Sequence, residues 1–489
     1  MRIMKLPGSA AIALLCLTIA LFSCRKDNDP YSRYRDQEPL PAKYRNLVLV
    51  SFTDKKTTPF SLTAPQAYLS QRAIERRQRQ QIKIDSTDLP VAKPYLDSVL
   101  RLVKGRLIHT SRWLNYAVIQ YPDDMDPKVL SALSFVNDVR PWGLYEPESI
   151  PELPGNDMIG GVAPQVKTGT DTLRDLPVSD KGYGRTWKLM KMHKAKALHE
   201  AGYRGKGKLI AVLSDGFGYL HEKNGFSHLF RENKIAATYD FVNNQENVYN
   251  SGDGGTYLTG IMAGLIPGEY VGLAPEASFA LLRVEANATE EPVDETSWIA
   301  AMEYADSIGT DIVSSSSVFG LYFDDPAFNI RPEEANGKTA MSSRVADAAF
   351  AKGMLVVQML NGGGARKIVA PPADAFNVIT AGNLREYNGR VFDDYSPLNT
   401  PTADGRMKPE LGALSSGVPI LDFYGDAYDL AYSPPIIAGL TACLWQAYPN
   451  KTATDIRQLL FRASGDGSKP NNIRGYGLTD FEKALLSGK

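Results

Sequence analysis

Leu209-Ile210-Ala211-Val212-Leu213 is a five-residue apolar run with glycines on both sides. A run this short, without polar alternation, suits a strand buried on both faces. Ile312-Val313, Met354-Leu355-Val356-Val357 and Val378-Ile379-Thr380 repeat the pattern. Helix-like stretches lie between them, among them Trp298 to Ile308 and Arg344 to Lys352. Short buried strands alternating with helices predict a doubly wound parallel α/β sheet with helices on both faces, over residues 187–489.

Upstream the pattern changes. Residues 44–148 read as a small α+β domain. Leu47 to Phe52 and Leu114 to Gln120 are strand-like. Ala64 to Gln80, Leu96 to Val103 and Asp126 to Ser134 are helix-like. In the first of these, Leu69 and Ala73 share one face, with Arg72, Arg76 and Arg77 on another. Residues 149–186 are rich in Pro, Gly, Asp and Thr, which predicts an exposed linker. Residues 24–43 are polar and read as a tether.

Composition narrows the function classes. The chain has 489 residues, with 54 Lys and Arg against 55 Asp and Glu, so its net charge is −1. That balance excludes a strongly basic nucleic-acid binder. Three cysteines, Cys16, Cys24 and Cys443, cannot build a disulfide framework or a cysteine-rich zinc site. Cys443 falls on an apolar helical face and is expected to be a buried, inert thiol. Trp187, Trp298 and Trp445 are expected in the core.

The N-terminus reads as an address. Arg2 and Lys5 precede an apolar stretch from Ala10 to Phe22, too short to span a bilayer comfortably. It ends Leu21-Phe22-Ser23-Cys24, which resembles a bacterial lipobox. Residues 1–23 are therefore expected to be a signal peptide and Cys24 the lipidated N-terminus. Lys26-Asp27-Asn28-Asp29 resembles the acidic export tag of Bacteroidota surface lipoproteins. The expected location is the outer membrane, surface-exposed.

The order of segments resembles a known family. Residues 187–486 are similar to the subtilisin-like serine peptidase domain, and 44–148 to the prodomain that precedes it in Bacteroidota members. Tyr68-Leu69-Ser70-Gln71-Arg72-Ala73-Ile74-Glu75-Arg76-Arg77, Asp85 to Val91, Thr339 to Gly353 and Ser396 to Pro409 carry the resemblance. An active member needs a Ser nucleophile, a His base, an Asp that orients the His and an Asn at the oxyanion.

Each motif is present with its reactive residue displaced. In Ala211-Val212-Leu213-Ser214-Asp215-Gly216, Ser214 stands at the Asp position and Asp215 one place later. One step along an extended segment turns a side chain to the opposite face. In Asp253-Gly254-Gly255-Thr256, Gly254 stands at the His position. The five histidines are His109, His193, His199, His221 and His228, none within this motif. The pair in the loop after Asp215, His221 and His228, reads as solvated. In Leu360-Asn361-Gly362, Gly362 stands at the Asn position and Asn361 one place early. Counting back from Pro435 puts Ala431 at the nucleophile position, with Ser433 two places later as a turn or cap residue. In subtilisin, losing the nucleophile or base costs about 10⁶ in turnover.

The resemblance therefore implies a pseudoprotease: no catalytic residues, with Ser214, Gly254, Gly362 and Ala431 as degenerate positions and Asp215, Asn361 and Ser433 as displaced candidates. The peptide cleft is expected at Ser316, Ser317, Val318, Phe319 and Gly320, a polar, strand-like wall that an extended peptide would join by edge pairing. A chain that cannot cut itself is expected to keep its prodomain, with the segment from Leu144 to Pro151 filling the cleft. No cofactor is expected; Asp324-Asp325 and Asp393-Asp394 are the weaker alternative, a calcium site. The expected function is non-catalytic binding of peptides or protein partners in an outer-membrane uptake or envelope complex, with no nucleic acid. The competing readings are an active endopeptidase with a rearranged site, drawing on Ser433 or Ser214 with Asp215 and His221, and a chaperone or inhibitor of an active relative.

Overall fold

The computed structural model describes residues 44–145, 177–361, 368–387, 390–393, 400–421, 427–465 and 469–488, with 30, 31, 34 and 41 beside them. The signal segment, Cys24, Gly362, Asp394 and most of the expected linker and tether lie outside the described residues, as does the stretch from Glu146 to Pro151. Among the described residues no helix is long and apolar enough to cross a membrane.

The N-terminal domain is an antiparallel sheet of four strands backed by helices. Strands β1 (Asn46–Phe52), β2 (Arg106–Ser111), β3 (Tyr116–Gln120) and β4 (Val136–Leu144) lie in the order β2-β3-β1-β4. Helices α1 (Gln71–Arg79) and α2 (Lys93–Val103) accompany them. The helix expected over 64–80 is shorter. A 3₁₀ turn at Pro65–Ala67 comes first, and α1 starts after Ser70, whose hydroxyl accepts the Ala73 amide. The third expected helix is a 3₁₀ turn, Pro127–Ala132, capped by Asp126. The strand expected from Leu114 starts at Tyr116, because Asn115 takes a left-handed turn conformation.

The second domain carries seven parallel strands: β5 (Leu209–Ser214), β6 (Ile235–Asp240), β7 (Ser278–Arg283), β8 (Ile312–Ser315), β9 (Leu355–Met359), β10 (Ile379–Tyr387) and β11 (Leu411–Val418). Their order is β6-β7-β5-β8-β9-β10-β11. The reversal around β5 is the doubly wound pattern, which leaves a crevice at the carboxyl ends of the strands. Helices α3 (Gly254–Ala263) and α6 (Ser433–Ala447) pack with Ile210, Val212 and Leu355 on one face. Helices α4 (Pro292–Ile308) and α5 (Met341–Ala351) pack with Val313 and Val356 on the other. Helix α4 begins six residues before the expected Trp298, because Pro292 fits the first helical position and Glu291 and Asp294 form a capping box. Trp298, Trp445 and Cys443 are fully buried, and Trp187 packs against the core.

The two domains meet in a common apolar cluster, beside the core that each has of its own. Leu47, Leu49, Trp113, Tyr116 and Trp142 of the first cluster with Trp298, Ile299, Met302 and Val345 of the second. A buried ionic network lies beside this cluster. The arginine face of α1 points into the interface rather than to water: Arg76 and Arg77 are 0% and 1% exposed. Arg76 pairs with Asp306 of α4 and donates to the carbonyls of Thr310 and Lys352. Arg77 and Arg112 reach the other oxygen of Asp306 at 2.8 and 2.6 Å. Arg77 also pairs with Asp88 at 2.7 Å, and Asp88 with Lys352 at 2.9 Å. Glu303 accepts from the Ser111 hydroxyl and from the amides of Arg112 and Trp113. Burial pushes the Asp306 carboxyl up, but the guanidiniums of Arg77, Arg76 and Arg112 overcome this and hold it below the usual range.

Removing one partner from such a network strands the others in a low dielectric. Asp306→Asn should therefore cost about 3–5 kcal/mol of unfolding free energy, read by urea denaturation of the mature chain. A loss below about 1 kcal/mol would show that the network is solvated and not a structural link.

Candidate functional site at the strand ends

Ser214 is the last residue of β5, and its hydroxyl donates to Asp215 Oδ1 at 2.9 Å. The next peptide turns sharply. Gly216 has φ 155°, and a Cβ there would stand 1.9 Å from the Ser251 carbonyl oxygen, so only glycine fits. The turn is laced to the start of α3 by the Gly255 amide on the Gly216 carbonyl at 2.9 Å. Arg283 Nε donates to the Asp215 carbonyl at 2.8 Å, and the same guanidinium pairs with the buried Asp240.

This geometry puts position 254 directly over Ser214 and Asp215. A Cβ on Gly254 would lie 2.5 Å from Asp215 Oδ1 and 3.3 Å from Ser214 Oγ. The Asp215 carboxylate therefore fills the space into which a residue-254 side chain would project. Burial raises its pKa above the usual carboxylate range, against the Ser214 hydroxyl and with the nearby Asp253 adding to the rise.

Ala431 lies in a 3₁₀ turn, Leu430–Tyr432, held by Asp429, whose carboxylate accepts the Ala431 amide at 2.9 Å. Its carbonyl accepts the Ser316 hydroxyl at 3.1 Å, which ties this turn to the cleft wall. Tyr432 faces back towards the α3 side. Burial, with Asp429 and Asp253 nearby, pushes its hydroxyl up to about 12. Asn361 follows β9 and lines the same cavity as Ser316.

The displaced candidates do not converge. Ser433 is the first residue of α6 and not its cap; it is fully buried and donates to Asn383 Oδ1 at 3.2 Å. The loop histidines differ from the solvated pair expected. His228 sits in a short helix, Ser227–Arg231, only 4% exposed, and burial pushes its pKa down to about 4. His221 is half-buried, 4.7 Å from the Tyr249 ring and 3.5 Å from Glu222. His109 bonds to the Phe241 carbonyl, His193 to that of Thr479, and His199 to Tyr183 and the Leu273 carbonyl.

The wall also differs from a continuous strand. β8 ends at Ser315, and the next backbone groups are already used. Gln358 Nε2 donates to the Ser317 carbonyl at 2.7 Å, the Phe319 amide to Pro371, and the Ile330 amide to the Gly320 carbonyl. Phe319 is buried in the shared core, and Gly320 takes φ 78°. What remains open is a cavity of about 260 Å³ between the wall and the segment from Glu285 to Asp294. These acids follow β7 in the sequence, and no motif drew attention to them. Glu285 comes three residues after the apolar run Phe279 to Leu282, beyond Arg283 and Val284. Among the described residues no group of three His, Cys, Asp or Glu could hold a metal ion. Asp325 caps a 3₁₀ turn by accepting the Ala327 amide, and the Asp324 amide donates to the Glu290 carbonyl.

Comparison with known proteins places this architecture. Residues 47–150 match the peptidase S8 propeptide domain of Bacteroidota, and residues 205–477 match the subtilase family. Serine protease AprX of Bacillus subtilis (strain 168) is 23% identical over 313 residues, 58% of this chain and 66% of AprX. Subtilisin NAT of Bacillus subtilis subsp. natto is 25% identical over 278 residues, 55% of this chain and 63% of that protein. The chain thus spans just under two thirds of the length of these relatives. Fervidolysin from Fervidobacterium pennivorans, a keratinolytic enzyme related to subtilisin, superposes with a TM-score of 0.57 at 18% identity, over 90% of this chain and 61% of its own, and so shares the fold. With a family match across more than half its length, the chain belongs to the subtilase family, peptidase S8, and carries that family's Bacteroidota-type propeptide domain.

Proposed function

We propose that this chain is a non-catalytic subtilase. It binds peptides or protein partners at the outer membrane, held there by a lipid on Cys24, and it keeps its propeptide domain. The observation that carries this reading is the Asp215 carboxylate, 2.5 Å from where a Cβ on residue 254 would stand. A side chain at that position would have to displace the Asp215 carboxylate from where it lies. None of the five histidines lies in the motif that carries Gly254, and the residue tied to the cleft wall through Ser316 is Ala431, which has no nucleophile. General-base chemistry needs the base within about 3 Å of the proton it takes. Ser433, buried and bonded to Asn383, offers no attacking oxygen to a substrate in the cleft.

Retention of the propeptide domain follows from the same loss. Without a nucleophile the chain has no means of cutting its own linker, and the shared core and the Asp306 network favour the bound state.

The intact mass of the mature protein, taken before and after exposure to a fluorophosphonate probe, tests the proposal. The expected result is an uncut chain with no adduct. A stoichiometric adduct on one serine, or recovery of the 187–489 fragment from cells lacking other proteases, would overturn it.

The contact between positions 254 and 215 makes a second prediction. Gly254→Ala should lower stability by about 1–3 kcal/mol, as overpacking does. Asp215→Ala in the same chain should recover most of that loss, a coupling readable in a double-mutant cycle. An equal loss in both backgrounds would mean that Asp215 does not fill the site.

A further inference from the structure

Two residues of the stretch between Cys24 and the propeptide domain are built into that domain's core. Tyr34 is 5% exposed and clusters with Val91, Tyr95, Leu96 and Val99. Its hydroxyl donates to Asp97 Oδ1 of α2 at 2.6 Å. Tyr31 packs against the same cluster, and its hydroxyl accepts the Val91 amide at 2.5 Å. The Tyr34 amide donates to the Tyr31 carbonyl at 2.9 Å, which closes a turn between them. Burial, with Glu303 nearby, pushes the Tyr31 hydroxyl above its ordinary range. Each ring thus brings apolar area into the core and its hydroxyl to a defined partner, as buried tyrosines do. A segment that only passed over the surface would do neither.

This attachment lies on one side of the domain. Val48, Val50, Ala117 and Ile119 of the sheet, with α2, belong to the cluster that receives Tyr34. Leu47, Leu49, Tyr116 and Val118 alternate with them along β1 and β3 and turn to the subtilase domain. The attached side is therefore the one turned away from the subtilase contact. On it, α2 exposes Pro94, Arg101 and Leu102. Chain length fixes how far this side can stand from Cys24. Tyr31 is seven residues after Cys24, a reach of at most about 25 Å. A chain free as far as Tyr44, twenty residues on, would reach about 70 Å.

We propose that Tyr31 and Tyr34 clasp the segment after Cys24 to the propeptide domain, so that the α2 side of that domain is held within about 25 Å of the lipid surface. The inference rests on the lipid anchor at Cys24 proposed above and adds which face of the protein meets the membrane. The partner of this face is the lipid surface itself, brought to it by the short reach of the anchored segment.

The test places a donor dye at Arg101→Cys, an exposed residue of α2, and acceptor-labelled lipid in phosphatidylcholine vesicles that carry the full mature lipoprotein. Cys443 is buried and does not compete for the dye. A Gly/Ser segment of about thirty residues, which adds roughly 30 Å of reach, is inserted at one of two places. Between Asp29 and Pro30, ahead of the clasp, it should lower energy transfer by at least about half. Between Asp36 and Gln37, after the clasp, it should leave transfer unchanged, because Tyr31 still pins the chain. Neither insertion alters a core residue, so a change in transfer reports reach and not misfolding. Equal transfer from the two insertions would overturn the clasp and leave the lipid anchor standing. A chain that fails to associate with the vesicles would overturn both.

Discussion

The structure hangs on one carboxylate. Asp306, near the end of α4, is fully buried and receives three guanidiniums from the propeptide domain. Each charge in this cluster would be costly alone, and each is tolerable only because the others are in place. The same helix carries Trp298 and Met302 into the shared core, Glu303 onto the Ser111–Trp113 turn, and Asp294 to the cavity. Helix α4 is thus the common support of the propeptide contact and of one flank of the cleft. A propeptide domain packed into a common apolar cluster in this way acts as a constituent of the fold.

The end of β5 and the start of α3 fit one another closely. Gly254 and Asp215 are complementary: the glycine leaves room for the carboxylate, and the carboxylate occupies the room. The scaffold around them is unbroken, from the Gly216 turn to the Asp429 cap and the bond from Ser316 to Ala431. On the proposed reading, the site keeps its framework without its reactive groups.

Much of this was legible in the sequence, for physical reasons. The buried strands announced themselves because parallel strands covered on both faces tolerate only apolar residues, as Leu209 to Leu213 shows. The turns that carry Ser214, Gly254 and Ala431 were readable because glycines and prolines around them mark chain reversals. Other features were hidden. Arg76 and Arg77 stood out only as a charged helix face, since periodicity reports amphipathicity and not which domain covers a charged stripe. His228 looked like a loop residue because a five-residue helix leaves little periodic signal. The wall looked like a strand through Phe319 because a run of serines leading into Val318 and Phe319 holds no Gly or Pro before Gly320. Only the side-chain amide of Gln358 and the carbonyl of Pro371, both distant in sequence, end the pairing at Ser315.

The account makes the two domains one cooperative body, through a shared core and a buried ionic network centred on Asp306. Differential scanning calorimetry of the mature chain tests this most directly. The account predicts a single unfolding transition in which the propeptide and subtilase domains melt together. Two separated transitions, with the propeptide domain unfolding first, would contradict it.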